Sequence, residues 1–104
     1  MTKFVILYKG PKGTGDTAVE QQTLVDAWNT WYTILGDRIV DGGHPFGESR
    51  AIGPDGAELP SEQANLTGYT IITAEGLDEA THLAKGCPVL KSHGRVEVYE
   101  ALAF

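Results

Sequence analysis

A single cysteine, Cys87, stands in 104 residues. One thiol can form no disulfide within the chain and no cysteine-rich zinc site, which agrees with a reducing compartment. Basic residues are also scarce. Eight Lys and Arg face fourteen Asp and Glu, for a net charge of −6, and no short window holds more than two basic side chains. A phosphate-binding surface has little to work with, so nucleic acid is excluded as a partner, and the acidity reads as a solvated, soluble surface. No apolar run nears the roughly 20 residues of a membrane span. The opening "MTKFVILYKG" is too short in its apolar part for a signal peptide and is followed by no small-residue cleavage site. It reads as a first strand, in a cytoplasmic protein with no membrane partner. The three histidines and Cys87 show no recognised metal spacing, so no metal and no cofactor are expected.

What is present suits one globular domain over residues 1–104, with 41% hydrophobic and 21% charged residues. "KFVILYK" (3–9) is a strand with Phe4, Ile6 and Tyr8 on one face and Val5 and Leu7 on the other. Both faces are apolar, the pattern of a strand covered on two sides, and a partner sheet is expected to cover one of them. After the loop "GPKGTG", whose glycines lack the spacing of a phosphate site, Thr17 and Glu20 stand in capping-box relation. Leu24, Trp28, Trp31 and Leu35 then recur at helical spacing, which predicts a helix over 18–35. "GYTIITAE" (68–75) is a strand. Leu77, Ala80, Leu83 and Ala84 form the stripe of a second helix, over 77–86, that Asp78 and Glu79 open and Gly86 and Pro88 close. "GRVEVYEAL" (94–102) alternates as a last strand.

Between these lies an irregular middle region, 37–67. "RIV" (38–40) starts a strand, "SRAIG" (49–53) continues or pairs with it, and "GPDG" (53–56) has the signature of a type I turn. "AELPSEQANLT" (57–67) reads as a surface loop.

"LTGYTIITAEGLDEATHLAKGCPVLKSHGRVEVYEAL", together with "AWNTWYTILGDRIVDGGHPFG" and the opening strand, resembles the YCII-related family of small bacterial proteins. The resemblance covers almost the whole chain and rests most on Gly68-Tyr69, on Leu77 to Ala80, on Ala84 to Pro88 and on Val96 to Val98. It implies an α+β, ferredoxin-like βαββαβ fold: an antiparallel sheet with two helices on one face, pairing in a homodimer as a dimeric α+β barrel. Some members carry a proposed acid-base pair, a histidine in the first helix and an aspartate after the second strand. A few resemble enzymes that remove chloride from hydroxylated aromatic rings. That pair does not transfer here, because the first helix has Trp28 and Trp31 and no histidine.

The remaining candidate chemistry centres on "DGGHPFGES" (41–49). Gly42, Gly43 and Pro45 can set a backbone path that aims His44 inward, and imidazole is the side chain that titrates nearest neutrality. In the functional reading His44 is an acid-base group at the mouth of a cleft walled by Trp28, Trp31 and Tyr32. Ser49 or Arg50 would orient a polar ligand group, with Tyr69 as a second hydroxyl. In the structural reading Pro45 and Phe46 anchor a turn, His44 points to water and the two tryptophans are core. His82 is offset from its helix's apolar stripe and is read as solvated, and Cys87 as a packing residue. Two functions follow: a cofactor-free enzyme acting on a small, aromatic molecule, or a noncatalytic dimeric small-molecule-binding or accessory module.

Overall fold

The computed structural model describes residues 1–10, 18–59 and 66–103. Strand β1 (Thr2–Lys9) leads to helix α1 (Ala18–Leu35) and, through a 3-10 turn at Gly36–Arg38, to the short strand β2 (Ile39–Asp41). Strands β3 (Ala51–Ile52) and β4 (Glu58–Leu59), then β5 (Leu66–Ala74), helix α2 (Leu77–Ala84), a 3-10 turn at Pro88–Ser92 and β6 (Arg95–Glu100) complete the order. The main sheet runs β2-β5-β1-β6, and every neighbouring pair is antiparallel. This is the ferredoxin-like arrangement. Among the described residues, no helix is long and apolar enough to cross a membrane.

The period-2 alternation of the strands decides where the core sits. Phe4, Ile6 and Tyr8 of β1 are buried, as are Gly68, Thr70, Ile72 and Ala74 of β5. Their registers, Phe4 opposite Ile72 and Ile6 opposite Thr70, put them on one face. Trp31 and Leu35 of α1 and Ala80 and Ala84 of α2 are buried in the same cluster. The alanines let α2 lie close to the sheet, and the indole N–H of Trp31 donates to the Leu83 carbonyl at 3.0 Å, tying the two helices together. Trp28, Tyr32, Val96 and Val98 border this core half-buried.

The alternate set, Val5 and Leu7 opposite Tyr99 and Glu97 and, across β5, Ile71 and Tyr69, faces away from both helices. Lys9 pairs with Glu97 at 3.0 Å on that open face, and Tyr99 is 53% exposed. Apolar strands thus have one face under the two helices and one face that, among the described residues, neither helix covers.

The middle region departs from expectation. "SRAIG" neither extends nor pairs with β2: Ala51 and Ile52 pair instead with Leu59 and Glu58 in a separate two-stranded sheet. The local turn wins, because the Gly53 N–H donates to the Ala57 carbonyl at 2.8 Å and Asp55 Oδ1 accepts the Ala57 N–H at 3.0 Å. The presumed loop 57–67 likewise holds β4 and the start of β5, while 60–65 lie outside the described residues, as do most of "GPKGTG" and Thr17. Helix α2 stops at Ala84, two residues short of the predicted end.

Candidate functional site

An aspartate followed by two glycines favours a local turn, in which the carboxylate accepts the backbone N–H two residues on. Asp41 does this: Oδ1 accepts the Gly43 N–H at 2.8 Å. Its second oxygen, Oδ2, accepts the Tyr69 hydroxyl at 3.0 Å. With both oxygens held by donors the ionised form is favoured. The Gly43 N–H first, then the Tyr69 hydroxyl, hold the carboxyl below the usual carboxylate range, and the charge of nearby His44 acts in the same direction. Tyr69 is shifted the opposite way: its bond to Asp41 raises it and keeps it a neutral donor.

The chain then rejoins the edge of β5. Pro45 bridges to Gly68, and the Phe46 N–H donates to the Thr67 carbonyl at 2.8 Å. Phe46 stacks on Tyr69, with ring centroids 5.8 Å apart and planes inclined at 27°. Gly68 permits the crossing, since a Cβ there would lie 3.0 Å from the His44 carbonyl oxygen and 3.4 Å from Pro45 Cα. "DGGHPF" and "GY" therefore form one matched unit along the edge of the sheet. It presents an ionised carboxylate, the exposed imidazole of His44 and two stacked rings on the open side.

The same segment has a second side. The Gly42 carbonyl accepts the hydroxyls of Tyr32 and Thr70, each at 3.1 Å, and Thr70 in turn shares a short hydrogen bond with the Tyr8 hydroxyl. Tyr8 lies edge-on to Trp28 at 5.1 Å. Burial pushes the Tyr8 phenol far up, so this hydroxyl stays protonated.

The candidate residues are thus divided by the sheet. Tyr69 comes together on the open side with Asp41 and Phe46, and the exposed His44 lies near enough to Asp41 for its charge to act on the carboxylate. Trp28 and Tyr32 stand half-buried on the helix side and Trp31 is 2% exposed in the core. Ser49 is exposed, and Arg50 lies against Glu58 of the β3-β4 hairpin at 3.5 Å. His82 is exposed, and Cys87 is buried with its thiol pushed up to about 12 by desolvation, which suits packing and not nucleophilic attack. The sequence pattern does not single out Asp41. Its local signal is the Asp-Gly-Gly turn, but its partner Tyr69 is 28 positions away.

Asp41 makes acid stability testable. Its folded pKa lies below the unfolded one, so its contribution is present above the ordinary carboxylate range and lost as pH falls through the lowered value. Asp41→Asn should flatten the acid limb of the melting temperature against pH; a limb as steep as that of the wild type would remove Asp41 from this role.

No protein-family model matches the sequence, and no curated protein matches it significantly. Among solved structures the chain is similar to the 5-chloro-2-hydroxyhydroquinone dehydrochlorinase TftG from Burkholderia phenoliruptrix AC1100, in complex with 2,5-dihydroxybenzoquinone. The TM-score is 0.59 and the identity 17%, over 96% of this chain and 93% of that one. At that identity the likeness is one of fold, and it agrees with the α+β architecture described above.

Proposed function

We propose that this protein, of the YCII-related type, binds a small aromatic molecule against Phe46 and Tyr69 on the open face of the sheet. His44 acts on it there as the acid-base group without a cofactor. The observation that carries the reading is the juxtaposition of the Asp41 carboxylate, oriented by the Gly43 N–H and the Tyr69 hydroxyl, with His44 and a stacked aromatic pair. Stacked rings offer a planar ligand a wall, and an imidazole beside a carboxylate can take up and return a proton near neutral pH. A neighbour in fold that is a dehydrochlorinase with a bound quinone supports a ligand of this class. Trp28, Trp31 and Tyr32 stand behind this site, across the sheet, and Arg50 with Ser49 at the loop's far end.

Isothermal titration with 2,5-dihydroxybenzoquinone as the probe tests this. His44→Ala should leave the melting temperature nearly unchanged, since its side chain is exposed, and weaken binding about tenfold, or ~1.4 kcal/mol. Equal affinity in the variant would reject the role of His44. One observation favours the noncatalytic alternative: both Asp41 oxygens already serve the fold, which leaves binding as the simpler use. Chloride release from 5-chloro-2-hydroxyhydroquinone no faster with saturating protein than without it would choose it.

The working unit in this reading is a homodimer, sheet facing sheet, in the cytoplasm. Val5, Leu7 and Ile71, half-buried, and Tyr99, exposed, form the face turned away from both helices, and a second copy's sheet would bury it and wall the site from the other side. Light scattering should give twice the chain mass of 11.2 kDa at micromolar concentration. A monomer there would end the proposal, because an apolar interface of this kind survives such dilution.

A further inference from the structure

We propose that Asp41, Gly42 and Gly43 form a two-sided latch through which events on the open face of the sheet reset the aromatic cluster beneath α1. One peptide segment holds both ends. Asp41 reaches the open face, where Tyr69 donates to it at 3.0 Å, while the adjoining Gly42 carbonyl reaches the helix face, where Tyr32 and Thr70 each donate to it at 3.1 Å. Thr70 passes the connection to Tyr8, and Tyr8 and Tyr32 both touch the ring of Trp28, at centroid distances of 5.1 and 5.8 Å. The chain of contacts from Tyr69 to Trp28 is therefore continuous and polar up to its last step.

The latch has two settings because its contacts are few and its backbone is free of side chains. When the Asp41 carboxylate leaves Tyr69, the turn it closes onto the Gly43 N–H at 2.8 Å loses its anchor on the sheet. Two consecutive glycines then let the Gly42 peptide rotate at little steric cost, and its carbonyl leaves the hydroxyls of Tyr32 and Thr70. The Thr70 hydroxyl is fully buried and that of Tyr32 borders the core, where an unpaired polar group is costly, so they follow the carbonyl or turn to other acceptors, and the Trp28 ring moves with them. A ligand hydroxyl that takes the Asp41 carboxylate from Tyr69 would throw the latch. To that extent the device rests on the aromatic-ligand reading, as the means by which the site reports occupancy to α1.

The test needs no ligand, so it fails or succeeds independently of that reading. The indole N–H resonance of Trp28 is followed by NMR in the wild type, in Tyr69→Phe and in Tyr32→Phe, with Trp28→Phe to assign it. Tyr32→Phe breaks the latch on the helix face directly and sets the size of the signal. Tyr69→Phe removes only a hydroxyl on the opposite face. It should nevertheless shift the Trp28 resonance in the same direction and speed amide exchange at Gly43 about tenfold. A Trp28 resonance unmoved by Tyr69→Phe but moved by Tyr32→Phe would overturn the coupling. If Tyr69→Phe fails to fold, Asp41→Asn is judged by the same two outcomes. Should the coupling appear while 2,5-dihydroxybenzoquinone fails to bind, the latch stands and the ligand reading falls.

Discussion

Replacing Trp31 with alanine should cost roughly 3 to 5 kcal/mol, a large share of the stability of a domain this size. The ring is 2% exposed and sits among Tyr8, Trp28 and Tyr32 at centroid distances of 6.3, 5.7 and 5.7 Å. Its indole N–H is the donor to the Leu83 carbonyl, so truncation both opens a void and removes the shorter of the two hydrogen bonds to that carbonyl, leaving it the Gly86 N–H at 3.3 Å. Collapse is restricted, because Gly86 already packs so closely that a Cβ there would meet Trp31 Cδ1 at 2.9 Å. Urea unfolding should show the loss as a lower midpoint with an unchanged slope. Trp31→Phe keeps most of the volume and loses only the donor, so it should fall between the two. An unaltered midpoint in Trp31→Ala would move this residue out of the core and undo the assignment of α1's buried face.

Trp31 also marks what the sequence makes legible. The spacing of Leu24, Trp28, Trp31 and Leu35 needs only the helical period to assign one face, and the alternation in β1, β5 and β6 needs only the strand period. Those elements are where they are expected, and α2 differs only at its last turn. The middle region resists the same reading because β2 is three residues long, too short to show a period. Its continuation along β5 is made by Pro45 and Phe46, whose partners Gly68 and Thr67 are more than twenty positions away. The site has the same difficulty. His44 draws notice from its glycines and proline, whereas Asp41 acquires its meaning only from Tyr69. The helix period puts Trp28 and Trp31 on one face of α1, and the strand period puts Tyr69 opposite Gly68 and Thr70. Neither period says that the sheet stands between them.

The matched unit of "DGGHPF" and "GY" makes its sharpest prediction at two adjacent glycines. Gly43 has φ +79°, in the left-handed region that side chains rarely adopt, and a Cβ built on it would fall inside the carbonyl group of Tyr69. Backbone strain at such a position costs about 1 to 3 kcal/mol by itself. The clash is with the backbone of β5, which cannot swing aside as a side chain could. Gly43→Ala should therefore lose about 3 kcal/mol or more and detach the Asp41 carboxylate from Tyr69. Gly42 differs in both respects: it is not among the residues of positive φ, and a Cβ there meets nothing within 4 Å. Gly42→Ala should change stability by no more than about 1 kcal/mol, in the favourable direction where the unfolded chain loses freedom. Urea unfolding of the two variants side by side makes the comparison, with the Tyr69 ring signals read by NMR in whatever folded fraction remains. Two variants of equal stability would mean that the segment does not press on β5 as described, and that Asp41 and Tyr69 meet by some other path of the chain.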